Sequence, residues 1–130
     1  MGMTLRFELF TKDTKRSVDF YKNILGFKEV RTDVEGDYHQ MVKDDVKIGI
    51  GSAEKLRKGH HFRPEVITDR KGLGVEIVLE VDDIEALYKE VLSKGYPIER
   101  VLGKREWGLI DFRIVDPDGY YLRPTSRYSK

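Results

Sequence analysis

The sequence predicts an α+β fold of two tandem βαβββ modules, forming a curved mixed sheet around a concave cavity with the helices on its outer face. Three observations carry this expectation. Apolar and charged residues alternate in short runs, the period of half-buried strands. Two of these runs lead into an Asp cap, an apolar stripe at helical spacing and a terminal glycine. That punctuation then recurs: Asp13 and Asp82 lie 69 residues apart, and so do Gly26 and Gly95, which points to a repeated unit.

In the first module Leu5, Phe7 and Leu9 alternate with Arg6, Glu8 and Phe10. Asp13 or Thr14 is placed to cap the next helix. Val18, Tyr21 and Leu25, with Phe20 and Ile24 beside them, form its buried stripe, and Gly26 suits the C′ position. Three strands follow at roughly 27–34, 37–43 and 46–51, separated by Glu35-Gly36-Asp37 and Lys43-Asp44-Asp45. The expected division is one domain over 1–130: module 1 at about 4–51, a connection at 52–72 and module 2 at about 73–124. The connection has no periodicity and contains Lys55, Arg57, Lys58, His60, His61 and Arg63. A structureless stretch of that length inside a domain is often functional or at an interface.

The second module opens with Val75, Ile77, Leu79 and Val81 alternating with Glu76, Val78 and Glu80. Asp82 is expected to cap its helix, with Glu85 three residues on completing a capping box. Ile84, Leu87, Tyr88, Val91 and Leu92 make the stripe, and Gly95 ends it. The stretch Trp107–Arg123 reads as a hairpin. Ile110, Phe112 and Ile114 alternate with Asp111, Arg113 and Val115; Asp116-Pro117-Asp118-Gly119 supplies the turn chemistry; Tyr120–Leu122 is a second run that stops at Pro124.

Composition narrows the function classes. A chain of 130 residues buries about two thirds of its unfolded surface as one unit. With 36% charged residues but a net charge of only +1, it is not expected to bind nucleic acid electrostatically. No apolar run approaches the ~20 residues of a membrane span, and the first residues lack a secretory h-region. Cysteine is absent, which removes disulfide and thiol chemistry. The expected compartment is the cytoplasm.

Strand parity assigns the cavity its lining. From the first module it receives Arg6, Glu8 and Phe10, with Lys47 and Gly49 on the fourth strand. From the second it receives Glu76, Val78 and Glu80, then Trp107, Leu109, Asp111 and Arg113, then Tyr121 and Arg123. This pattern is odd for a packed core and reasonable for a polar binding site.

Several of these motifs carry a family resemblance. Ser17, Phe20-Tyr21 and Asn23-Ile24-Leu25-Gly26-Phe27 resemble the first-helix signature of the vicinal oxygen chelate superfamily, which holds glyoxalase I, bleomycin-resistance proteins and extradiol dioxygenases. Trp107-Gly108, Phe112 and Asp116-Pro117-Asp118-Gly119 resemble its closing signature, and Val81-Asp82-Asp83-Ile84 the start of its second helix. The resemblance spans residues 4 to 124. It implies one divalent metal, bound by His or Gln on the first strand of each module and Glu on the last. Those positions fall here at Arg6 and Glu76, near Ile48 to Gly51, and at Arg123. Only Glu76 among them offers a lone pair, since guanidinium is a donor only. No metal or other cofactor is therefore expected.

His39, His60 and His61 are the other ligand types a transition metal favours. His39 is expected to be solvated or hydrogen-bonded within its strand, and His60-His61 to be a surface pair. A swapped dimer would bring that pair near Glu76.

The resemblance thus implies a small-molecule binder or enzyme using the cavity without the usual metal, and a homodimer as partner. Arg6, Arg113 and Arg123 are placed to clamp a carboxylate or phosphate. Glu76 and Glu80 would accept hydrogen bonds, with Glu76 the candidate general base. Trp107, Tyr121 and Phe10 offer flat walls for an aromatic ligand. A second reading has Arg6–Glu76 and Arg123–Glu8 or Asp111 pair and fill the cavity with no ligand. The alternatives within the family are a metal-dependent lyase, isomerase or dioxygenase of the glyoxalase I type and an antibiotic-sequestering resistance protein. Drug-sequestering relatives present acidic grooves, whereas arginines here at least match the acids.

Overall fold

The computed structural model describes residues 2–62 and 71–128. Arg63, counted above in the connection, lies outside them. Two units divide the chain, Met1–Asp69 and Arg70–Lys130, and each carries one four-stranded mixed sheet and one helix.

The first unit runs β1 (Arg6–Thr11), α1 (Thr14–Asp19), a π-helical turn (Phe20–Ile24), β2 (Lys28–Asp33), β3 (Tyr38–Lys43) and β4 (Val46–Ser52). Its strand order is β1-β4-β3-β2, with β1 and β4 parallel and the other pairs antiparallel. Asp13 is the N-cap and accepts from the Arg16 amide at 3.2 Å. Thr14 instead donates its hydroxyl to the Asp37 carboxylate at 2.8 Å. Gly26 ends the helix at φ +79°, a conformation that a Cβ disfavours. Leu9, Val18, Tyr21, Leu25, Met41, Ile48 and Ile50 are buried between helix and sheet, and each aliphatic one adds roughly 1.5–3 kcal/mol. After β4 comes a short 3₁₀ turn, Ala53–Lys55, and beyond it His60 and Phe62 pack edge-on against Phe10.

The second unit repeats the plan: β5 (Glu76–Glu80), α2 (Ile84–Ser93), β6 (Arg100–Lys104), β7 (Ile110–Val115) and β8 (Tyr121–Thr125). The order is β5-β8-β7-β6, again with first and last strands parallel. Ile77, Leu79, Ile84, Val91, Phe112, Ile114 and Leu122 form its core, and Tyr88 meets Phe112 edge-on at 5.0 Å.

Four expectations are corrected here. The cap of α2 is Asp83, which accepts from the Ala86 amide at 3.0 Å, while Asp82 pairs with Arg127. Leu92 is 48% exposed, because one residue beyond Val91 turns about 100° off the buried stripe. Trp107 lies in the turn before β7 rather than on a strand, where the Gly108 amide donates to the Arg105 carbonyl. β8 continues through Pro124, which pairs with Leu79 in the parallel ladder. On its other side the β7–β8 register is anchored at Asp111–Thr125 and Ile114–Leu122, flanking the position where proline has no N–H to give.

The capped starts Thr14 and Ile84 are 70 residues apart, whereas Gly26 and Gly95 are 69 apart. The first helix spends its extra residue in the π-helical turn, which holds five residues in one widened turn. No helix among the described residues is long and apolar enough to cross a membrane.

Candidate functional site

Strand register identifies equivalent positions on the face away from each helix. In the first unit Arg6 lies beside Lys47 and Glu8 beside Gly49. In the second Glu76 lies beside Tyr121 and Val78 beside Arg123. Counted back seven residues from the two caps, Arg6 corresponds to Glu76. Gly49 then corresponds to Arg123.

The first-unit face is built around a missing side chain. A Cβ on Gly49 would stand 1.9 Å from Glu8 Oε2 and 2.2 Å from Tyr38 Oη. Glycine therefore leaves the space that the Glu8 carboxylate and the Tyr38 hydroxyl fill. Tyr38 donates to Glu8 at 2.8 Å and Arg6 Nε donates to it at 2.8 Å. Burial, seconded by the neighbouring Glu8 carboxylate, pushes the Tyr38 phenol above its ordinary value, so it stays a donor. Tyr38 enters this face from β3, a strand whose outward positions the sequence pattern does not mark.

The second-unit face holds a buried ion network. Asp111 is fully buried and accepts from Arg105 Nε at 2.7 Å, with Arg113 Nε at 3.5 Å from the same oxygen. Arg113 also donates to Glu76 Oε2 at 3.2 Å and to the Tyr121 hydroxyl at 3.5 Å. Arg123 Nε sits 3.5 Å from Glu76 Oε1, and its guanidinium lies over the Trp107 ring at 5.6 Å. Burial works to lower the Arg113 pKa, but Tyr121 and Asp111 outweigh it and hold the guanidinium above its ordinary value. Five of the residues expected here from parity come together: Glu76, Asp111, Arg113, Tyr121 and Arg123. Trp107 joins them from its turn. Arg105 was not anticipated, since it sits in a turn where period-2 reasoning does not apply; its signal is its place six residues before a strand aspartate.

The remaining expected residues lie elsewhere on these faces. Glu80 is exposed beside Thr125 at the far end of β5. Phe10 belongs to the aromatic group with His60 and Phe62. His39 lies on the helix side of β3, with Nδ1 2.6 Å from Glu29 and Nε2 2.9 Å from Asp37. Burial works to lower its pKa, but the two carboxylates outweigh burial and raise it above the ordinary value.

At the positions that the resemblance assigns to a metal stand Arg6, Gly49, Glu76 and Arg123. Two are donors only, one has no side chain, and the oxygens of Glu76 face Arg113 and Arg123. Among the described residues no group of three or more His, Asp or Glu side chains is placed to hold a metal ion. This donor set does not fit a divalent cation.

The family model for the glyoxalase/bleomycin resistance protein/dioxygenase superfamily matches residues 4–123. The chain belongs to that superfamily. Comparison with curated proteins gives no match. Solved structures of similar fold include a superfamily member from Nocardioides, at 18% identity and TM-score 0.79, covering 97% of this chain and 83% of that one. TioX from Micromonospora sp. ML1 aligns at 18% identity and TM-score 0.76, over 98% of this chain and 100% of its own. The virulence protein STM3117 from Salmonella typhimurium aligns at 20% identity and TM-score 0.73, over 98% of both chains. At these identities the likeness is one of fold.

Proposed function

We propose that this superfamily member is a metal-independent protein that binds a small anionic or aromatic molecule, and that it works as a homodimer in the cytoplasm. The observation that carries this reading is the substitution of donors for acceptors: arginine stands at two of the four metal positions and glycine at a third. Such positions repel a cation and attract an anion.

The ion network supports a binding role over a purely internal one. Asp111, with no exposure, pairs with Arg105 and Arg113 beneath the face, while the Glu76 side chain keeps 35% of its surface and Trp107 keeps 45%. Buried ion pairs contribute little stability relative to apolar packing. A network that fixes the orientation of accessible groups fits recognition better than it fits core packing. In this reading Arg123 meets the anionic end of the ligand, Glu76 accepts a hydrogen bond, and Trp107 and Tyr121 meet its flat part.

Metal analysis by inductively coupled plasma mass spectrometry, on untagged protein purified without chelator, tests the reading first. Substoichiometric nickel, zinc, iron and manganese are expected. Near one equivalent would overturn it in favour of glyoxalase I-type chemistry. A thermal-shift screen of aromatic carboxylates should then raise the midpoint, because a ligand that binds only the folded state stabilises it. Light scattering is expected to give the mass of two chains.

A further inference from the structure

Beside the β6–β7 turn the second unit carries a cleft of about 320 Å³, lined by Arg100, Lys104, Arg105, Glu106 and Trp107. Its cations are of two kinds. Arg105 is committed: its Nε donates to the Asp111 carboxylate, and its terminal nitrogen donates to the carbonyls of Val101 and Asp111 at 2.8 and 3.0 Å. Arg100 and Lys104 are exposed, and among the described residues neither has an ion-pair partner. Both belong to β6, and the neighbour of Arg100 across the ladder is Arg113, another cation. Lys104 lies beside Ile110, so a register shift within β6 sets the two cations on opposite sides of this edge strand, and the cleft reaches both of them together with one acid, Glu106. Counting Arg105 against Asp111, the cleft keeps one positive charge in excess.

The second wall is aromatic. Trp107 is the only tryptophan in the chain and is 45% exposed, an unusual surface cost for so large a ring unless something covers it. The volume lies at the lower end of small-molecule sites, roughly 300–1,000 Å³. That size suits one or two rings, and the single excess charge suits a monoanion over a dianion.

We propose that this cleft binds an aromatic monoanion, with its carboxylate held by Arg100 and Lys104 and its ring against Trp107. The site differs from the Glu76 network, shares Trp107 and the committed Arg105 with the reading above and does not depend on it.

Titrating the full chain with 4-nitrobenzoate, by calorimetry and by quenching of Trp107 fluorescence, tests this. The uncharged 4-nitrobenzyl alcohol and the dianionic 4-nitrophenyl phosphate serve as comparators. The carboxylate should bind about tenfold tighter than the alcohol, and also tighter than the phosphate ester. Combining Arg100→Gln with Lys104→Gln should weaken carboxylate binding by about tenfold and reduce its salt dependence, with the thermal midpoint unchanged. The single Arg100→Gln variant, read at the same temperature, gives a second and milder measure. Equal affinity for the alcohol, a tighter phosphate ester, no binding by any probe, or full affinity in the double variant would each overturn the proposal. If Glu76→Gln weakens binding and the double variant does not, the ligand sits at the Glu76 network. That outcome overturns the cleft and leaves the broader reading standing.

Discussion

The two units solve the same problem in opposite ways. In the first, the carboxylate on the face away from the helix comes from β1 and leans over an empty position, Gly49. In the second, the last strand brings a guanidinium to the equivalent position, Arg123, and the first strand supplies Glu76 to meet it. The first arrangement is half in solvent: the Arg6 and Glu8 side chains keep 51% and 34% of their surfaces. The second is founded on Asp111, which keeps none. An exposed ion pair has little leverage on stability, whereas a buried one sets the position of everything attached to it. The network of the second unit is therefore the rigid one, and that of the first the adjustable one.

The comparison breaks most readily at Asp111. Asp111→Ala should cost about 3–5 kcal/mol in urea unfolding, because Arg105 and Arg113 lose their shared partner in a buried setting. Glu8→Ala, the matching test on the exposed side, should cost at most about 1 kcal/mol. A comparable loss from both would erase the distinction between the units.

Gly49→Ala should come next, at roughly 1–2 kcal/mol by the same measurement. The methyl would force the flexible ends of Glu8 and Tyr38 aside and break their hydrogen bond. In a Gly49→Ala background the further change Glu8→Ala should recover part of the loss, and the absence of any recovery would count against glycine as the space-maker.

A pH-dependent effect is expected in the first unit. His39 bonds both Glu29 and Asp37, and its raised pKa means that its stabilising contribution is whole below 6.5 and is lost as pH rises through the folded value. Thr32 and His39 hold the Glu29 carboxyl below its ordinary value. Burial pushes Asp37 up, but His39 and Thr14 bring it below its own, so the contributions of both acids are lost toward low pH. Chemical denaturation should show this contribution to stability falling as pH rises above 6.5 in the wild type, and His39→Gln should flatten that limb. The smallest expected effect is at the Trp107–Arg123 contact: Trp107→Leu should cost about 0.5–1 kcal/mol of stability, read by circular dichroism.

Much of this plan was legible in the sequence because it is written in periods. The β1 alternation of Arg6, Glu8 and Phe10 and the β5 alternation of Glu76, Val78 and Glu80 follow from a repeat of two, and Gly26 and Gly95 punctuate the helices in plain sight. The Asp116 turn also behaves as its chemistry dictates, its carboxylate accepting from the amides of Asp118 and Tyr120. What escaped the sequence has no period. Arg105 and Trp107 sit in a turn, where direction is set by φ and ψ rather than alternation. Tyr38 belongs to the site because of a glycine on the neighbouring strand β4, and a pattern within one strand carries no such information. The choice between Asp82 and Asp83 as cap turns on one residue, at a boundary where two adjacent carboxylates compete for the role.

The widened turn at Phe20–Ile24 has a consequence for how such a duplicated plan tolerates change. One surplus residue in a strand would invert every side chain beyond it and exchange the binding face for the core. Carried through a regular helix, it would swing the exit by about 100°. Held in a single loose coil, it stays local: Gly26 still ends the helix, and Phe27 still enters the core. The helix acts as a slack loop in a taut belt, taking up differences in length so that the strands, where a slip would be costly, never feel them.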